Sequence, residues 1–243
     1  MNLIIDIGNT AVKLAVFKES KLLFSVRDTV VNLEKKIHEI FLEYPKIKNS
    51  IIASVGNLPP NIVNWLKDKV NIIILNNETK LPFKNQYKTP KTLGVDRIGL
   101  ISAAVEKYPN KNVLIIDAGS CITYDFVTDK AEYLGGAISP GLRMRYKALN
   151  TFTAGLPLLE TKIPQYFVGN STESSMHSGV VCGILNEIDG FVKEYQNKYS
   201  DLTVILTGGD ANFLSKQLKS SIFANSNFLL QGLNYILRFN LIE

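Results

Sequence analysis

The chain has 243 residues, with 27 Lys and Arg against 22 Asp and Glu, a net charge of +5. Hydrophobic residues make up 46% and charged residues 20%, a globular composition that excludes disordered, collagenous and coiled-coil classes. The length suits one large domain or two of about 100–130 residues each.

No apolar run approaches the roughly 18–20 residues that a membrane span needs. The opening MNLIIDIGNT carries neither a basic leader nor a cleavage site and does not read as a signal peptide. Two cysteines, Cys121 and Cys182, are too few for a disulfide framework, and two histidines, His38 and His177, argue against zinc. The expectation is a reduced, cytoplasmic protein with no membrane partner. The pI is near 9.0, but the basic residues do not concentrate. Lys35 and Lys36 share a stretch with Glu34 and Glu39, and Arg143, Arg145 and Lys147 form the tightest group. This is a mildly basic surface that tolerates anionic ligands, with no nucleic acid expected.

Residues 2–7, NLIIDI, form an apolar run bounded by Gly8 and Asn9, a buried strand that ends in a tight turn. Strands at 10–17 and 21–26 follow through short polar links, predicting an antiparallel meander. Leu33, Ile37, Ile40 and Phe41 set a helix over 32–43. A strand is expected at 50–55, a short helix at 60–69 and a strand at 71–75. A polar section with Pro82 and Pro90 separates these from a helix at 94–107. The opening pattern then recurs: strand 113–117, turn Ala118-Gly119-Ser120, and strands at 121–127 and 132–138. IIDIGNTAVKLAVF and IIDAGSCITYDFV can be written over each other, with Asp6 on Asp117 and Gly8 on Gly119. The repeat divides the chain into halves at 1–112 and 113–243. The second half continues with a helix at about 142–154 and a long helix at about 172–198. A strand at 202–206 runs into Thr207-Gly208-Gly209-Asp210, followed by helices at 211–218 and 228–241.

The turns carry the chemistry. In Asp6-Ile7-Gly8-Asn9-Thr10, glycine lets the backbone approach a ligand, and successive N–H groups make an anion nest. Lys13 adds positive charge, and Asp6 suits the water shell of Mg²⁺. Taken alone, the same residues read better as a Gly-Asn hairpin with a solvated acid. Asp117-Ala118-Gly119-Ser120 repeats the pattern, and Thr207-Gly208-Gly209-Asp210 supplies a third glycine turn before a helix. Neither G-x-x-x-x-G-K-[ST] nor G-x-G-x-x-G occurs, so P-loop and Rossmann readings fail.

DIGNTAVK (6–13), NQYKTPKTLGVDR (85–97), IIDAGSCITYDFV (115–127), YLGGAISPGL (133–142), STESSMHSGV (171–180) and VILTGGDA (204–211) together resemble the type III pantothenate kinases. These belong to the actin/hexokinase/Hsp70 superfamily of ATP-binding proteins. The resemblance implies an α/β fold of two ribonuclease-H-like (actin-like ATPase) halves, each a mixed sheet flanked by helices, with an ATP cleft between. It implies phosphorylation of pantothenate by ATP, the first step towards coenzyme A, in a homodimer that uses Mg²⁺ and a monovalent cation, K⁺ or NH₄⁺. Carried onto this chain, Asp6, Ile7, Gly8, Asn9, Thr10, Ala11, Val12 and Lys13 would form the first phosphate loop. Ser120 would contact ATP where relatives often carry Thr, with Cys121 beside it a departure. Asp117 would hold the monovalent cation. Tyr87, Gly94, Val95, Asp96, Arg97 and Thr172 would line the pantothenate site, with Asp96 as the general base.

The residues themselves are compatible with these roles. An Asp within reach of a primary hydroxyl orients it for in-line attack and takes its proton. An adjacent Arg binds a carboxylate or spreads phosphate charge. Alone, Asp96 and Arg97 read as the first turn of a helix with a surface ion pair, Tyr87 as a half-buried loop aromatic, and Thr172 as a helix N-cap. His177 reads as structural or as part of a subunit contact, and Cys182 as a small core residue. Two other functions remain open: a kinase for a sugar or another small alcohol, and a non-catalytic relative that regulates transcription.

Overall fold

The computed structural model describes residues 1–8, 11–56, 59–219 and 222–241. The chain forms two compact units. The first comprises residues 1–110, 131–133 and the C-terminal segment from Asn227; the second comprises 111–130 and 134–226.

In the first unit, β1 (Asn2–Ile7), β2 (Val12–Lys18) and β3 (Lys21–Asp28) form the expected antiparallel meander. Strands β4 (Asn49–Ser54) and β5 (Asn71–Ile74) add in parallel, giving the order β3-β2-β1-β4-β5. All six residues of β1 are buried, so its sequence is a continuous apolar run rather than an alternation. Leu3, Ile5 and Ile7 meet Leu33, Ile37 and Ile40 of α1 (Leu33–Glu43) and Ile62, Val63 and Leu66 of α2 (Pro60–Lys67). Helix α3 (Val95–Lys107) packs against the C-terminal helix α8 (Phe228–Leu241), and α8 also reaches β1 and β4.

Chain order alone assigns α8 to the second half, but it packs on the first unit. The reason is a close helix–helix contact at two glycines. A Cβ on Gly232 would overlap the carbonyl oxygen of Gly99 and come 2.8 Å from the backbone nitrogen of Ala103. A row of asparagines ties the same helix to the sheet. The Asn71 amide donates to Asn49, Asn49 to Asn2 and Asn2 to Asn234 of α8, at 2.9–3.3 Å.

In the second unit, β7 (Val113–Ala118) pairs antiparallel with β8 (Cys121–Val127) and parallel with β10 (Thr203–Thr207). With β9 (Glu132–Pro140) and β11 (Phe223–Ala224) the order is β11-β10-β7-β8-β9. The helices are α4 (Leu142–Thr151), α5 (Thr172–His177), α6 (Gly183–Lys198) and α7 (Ala211–Ser215). The helix expected over 172–198 is α5 and α6 joined by a π-helical turn at Ser178–Cys182. Leu114, Ile116, Tyr124 and Phe126 of the sheet pack with Val181, Ile184, Ile188 and Val192 of this helical run.

Two short pieces were not expected. One is β11. The other is β6 (Lys84–Asn85), in the first unit, which pairs in parallel with Glu132 and Tyr133 at the start of β9.

Candidate active site

The first unit gathers two groups of candidate residues. Asp6 ends β1 and lies opposite Lys13 of β2. It is only 6% exposed, and burial pushes its carboxyl up to about 6, against the opposing pull of Lys13 and with a further push from the Asp96 carboxylate. Asp6, Lys13 and Asp96 therefore share one electrostatic neighbourhood. The Gly8 N–H donates to the Ala11 carbonyl at 3.0 Å and closes the turn. The side chains of Ile7 and Val12 belong to the core, so only their backbone can face a ligand. Asn9 and Thr10 lie outside the described residues.

Gly94 takes the N-cap position of α3, with Val95 and Asp96 in the first turn. Asp96 Oδ1 accepts the Arg97 N–H at 2.8 Å, as an acid in a first helical turn does. Arg97 is 6% exposed. Its Nη2 donates to the Tyr133 hydroxyl at 2.8 Å. Its guanidinium carbon sits 5.6 Å from the ring centre of Tyr87 and 6.0 Å from that of Tyr133. The loop carrying Tyr87 is fixed by its N–H, which donates to Asn85 Oδ1 at 3.0 Å. Tyr133 carried no assignment in the sequence. The only signal was its place at the head of the YLGGAISPGL segment.

The second unit gathers the other glycine turns. Asp117 is half-buried at the end of β7, and Ser120 is exposed. Thr207 pairs with Asp117 across β10 and β7. Gly208 has φ +97°, and a Cβ there would overlap the Ala118 carbonyl oxygen and Asp117 Oδ1. The Asp210 N–H donates to the Ala118 carbonyl at 2.9 Å. The Asp117 and Thr207–Asp210 turns are thus pressed together, and glycine is required both for its conformation and for its lack of a side chain.

Thr172 is an exposed residue of the second unit and joins none of these groups. It is the first residue of α5, not its cap. Ser171 caps the helix in a reciprocal box with Ser174. Thr172 lines a cavity of about 710 Å³ with Leu149, Phe152, Leu156 and Met176. Arg145, at the edge of the same cavity, is committed to the fold. It pairs with Glu187 at 2.5 Å and donates to the Pro140 carbonyl and to Ser139. His177 is buried, with its Nδ1 2.8 Å from the Tyr146 hydroxyl, a structural contact.

Among solved structures, a glucokinase from an Antarctic psychrotroph aligns over 98% of both chains with a TM-score of 0.55 and 11% identity. A Campylobacter jejuni protein described as a Baf family transcriptional activator aligns over 99% of this chain and 100% of its own, with a TM-score of 0.62 and 23% identity. At these identities the likeness establishes the fold: two mixed α/β units of the actin-like ATPase class. The sequence profile of the type III pantothenate kinases matches residues 2–194. A type III pantothenate kinase from Christiangramia forsetii is 53% identical over 99% of both chains. This chain belongs to the type III pantothenate kinase family, in which ATP phosphorylates pantothenate.

Proposed function

We propose that this chain transfers the γ-phosphoryl group of ATP to the primary hydroxyl of pantothenate, giving 4′-phosphopantothenate, with Asp96 as the general base. The observation that carries this reading is the convergence of Asp6, Lys13 and Asp96 in one unit, with Arg97 beside Asp96. The Asp6–Lys13 turn binds the phosphates through its backbone N–H groups and Lys13. Asp96 orients the pantothenate hydroxyl and takes its proton as the new P–O bond forms. Arg97 binds the pantothenate carboxylate, with Tyr87, Gly94 and Val95 beside it in the same unit. Thr172 is a pantothenate contact and Ser120 an ATP contact.

The donors suit the ions that such a kinase uses. Asp6 is a buried carboxylate whose ionisation a cation favours, which fits contact with the water shell of Mg²⁺. Bound Mg²⁺ neutralises charge on the ATP phosphates. Asp117, pressed against the Gly208 turn, offers the carboxylate oxygen that K⁺ or NH₄⁺ takes.

We also propose a cytoplasmic homodimer that does not bind nucleic acid. The dimer is supported by exposed apolar side chains in the second unit, among them Phe152, which lines the same cavity as Thr172. Phe152 is 85% exposed, and Leu158, Tyr166, Phe167 and Val168 are exposed as well. No helix among the described residues is long and apolar enough to cross a membrane.

A coupled assay with ATP tests the reading, comparing pantothenate with a panel of sugars. Turnover with pantothenate alone is expected. Turnover with a sugar alone would contradict the substrate assignment. Salt-sensitive binding of duplex DNA by a protein inactive on every substrate would favour the regulator.

A further inference from the structure

We infer that Tyr133 is a positioning residue that fixes the Arg97 guanidinium and thereby sets the preference for a carboxylate-bearing substrate. The inference rests on the reading of Arg97 as the carboxylate clamp. Tyr133 is 0% exposed, so it does not touch substrate and can act only through a neighbour. That neighbour is Arg97, whose Nη2 donates to the Tyr133 hydroxyl at 2.8 Å.

The surroundings leave the guanidinium little freedom. Tyr87 and Tyr133 both border it, with their ring centres 5.9 Å apart. Phe83 packs edge-on against the Tyr133 ring at 6.2 Å. The backbone holds this cage through the short pairing of β6 with β9. Lys84 N–H donates to the Ala131 carbonyl and Gln86 N–H to the Tyr133 carbonyl, both at 2.9 Å. Lys84 and Glu132 add an ion pair at 3.0 Å. A planar five-donor group recognises a carboxylate through its orientation. A fixed hydrogen bond at one nitrogen, with aromatic rings beside the plane, sets that orientation before substrate arrives, at no ordering cost on binding. The position of β6 is explained as well. Two residues of strand add little to the sheet, yet they bring Tyr87 to the same arginine as Tyr133 and back the Tyr133 ring with Phe83.

The test is Tyr133→Phe, which keeps the ring and removes the hydroxyl. The readout is the ratio of kcat/KM for pantothenate to that for pantothenyl alcohol, in which a hydroxymethyl group replaces the carboxylate. Loss of one hydrogen bond to a charged group predicts a rise in the KM for pantothenate of about tenfold. The value of kcat and the ATP dissociation constant should stay within about twofold, and the ratio should fall by about the same tenfold. A general loosening of the fold would lower both substrates together and leave the ratio unchanged, which would overturn the inference. In an Arg97→Ala background, Tyr133→Phe should change neither KM nor the ratio further. If Arg97→Ala raises the KM for pantothenate and Tyr133→Phe does not, the positioning role fails and the clamp survives. If Arg97→Ala leaves the KM unchanged, the clamp reading fails and the inference fails with it. Should Tyr133→Phe not fold, Tyr133→His replaces it. A shorter ring that keeps an acceptor should lower the ratio by less than tenfold, and an unchanged ratio would again overturn the proposal.

Discussion

Replacing Asp6 with Asn should make the ligand-free protein more stable while removing its affinity for ATP. Burial raises the Asp6 carboxyl from 3.8 to about 6. A carboxyl raised on folding contributes its full stability below its unfolded value. That contribution is lost as pH rises from about 4 through about 6, because the unfolded chain ionises first. At about 1.4 kcal/mol per pH decade, the gap corresponds to roughly 3 kcal/mol by pH 7.5. Asn has the same shape and no charge, so the variant escapes this loss. Urea unfolding of wild type and Asp6→Asn, at pH 4.5 and pH 7.5, isolates the effect, since the other titrating groups largely cancel in the difference. The variant's advantage should be small at pH 4.5 and grow to about 3 kcal/mol at pH 7.5. A variant less stable than wild type at pH 7.5, or an advantage independent of pH, would refute the premise that Asp6 is desolvated. By the same titration, the affinity of wild type for Mg²⁺–ATP should fall as pH drops through about 6, where Asp6 takes up a proton. Calorimetry across that range measures it.

Two further outcomes are expected. Turnover should be strongly activated by K⁺ or NH₄⁺ over Na⁺ at fixed ionic strength, and Asp117→Asn should abolish that activation; equal rates in all three salts would remove Asp117 from the cation site. Phe152→Glu, which places a charge in the exposed apolar patch, should convert a dimer into the 27.1 kDa monomer in light scattering. A wild type that is already a fully active monomer would contradict the proposed assembly.

The buried strands were legible because burial on both faces leaves no alternative to an apolar run, as in β1 and β7. The turns that follow them were legible as turns because glycine at a strand end lets the chain reverse. Other features left little trace. β6 and β11 are two residues each, held by backbone bonds that any side chains permit. The π-helical turn keeps the apolar face of its helix, so the spacing of Val180, Val181 and Ile184 does not mark it. The attachment of α8 to the first unit depends on Gly99 meeting Gly232, a contact between residues distant in the chain. Tyr133 is not legible as more than a strand residue, because a lone tyrosine in Glu132-Tyr133-Leu134 fits any half-buried strand. Its role emerges only from the arginine it holds.

Whether Asp96 takes the proton of the pantothenate hydroxyl is decided by Asp96→Asn. Asn preserves the shape and one acceptor of the side chain but cannot accept the proton. Single-turnover formation of 4′-phosphopantothenate, with ATP affinity measured on the same preparation, separates chemistry from binding. A general base at Asp96 predicts a rate lowered by about 10²–10⁴, the usual contribution of such a group, and an ATP dissociation constant changed by no more than a few fold. A folded Asp96→Asn protein that keeps most of the wild-type rate would contradict it, leaving Asp96 as an acid that only stabilises the first turn of α3.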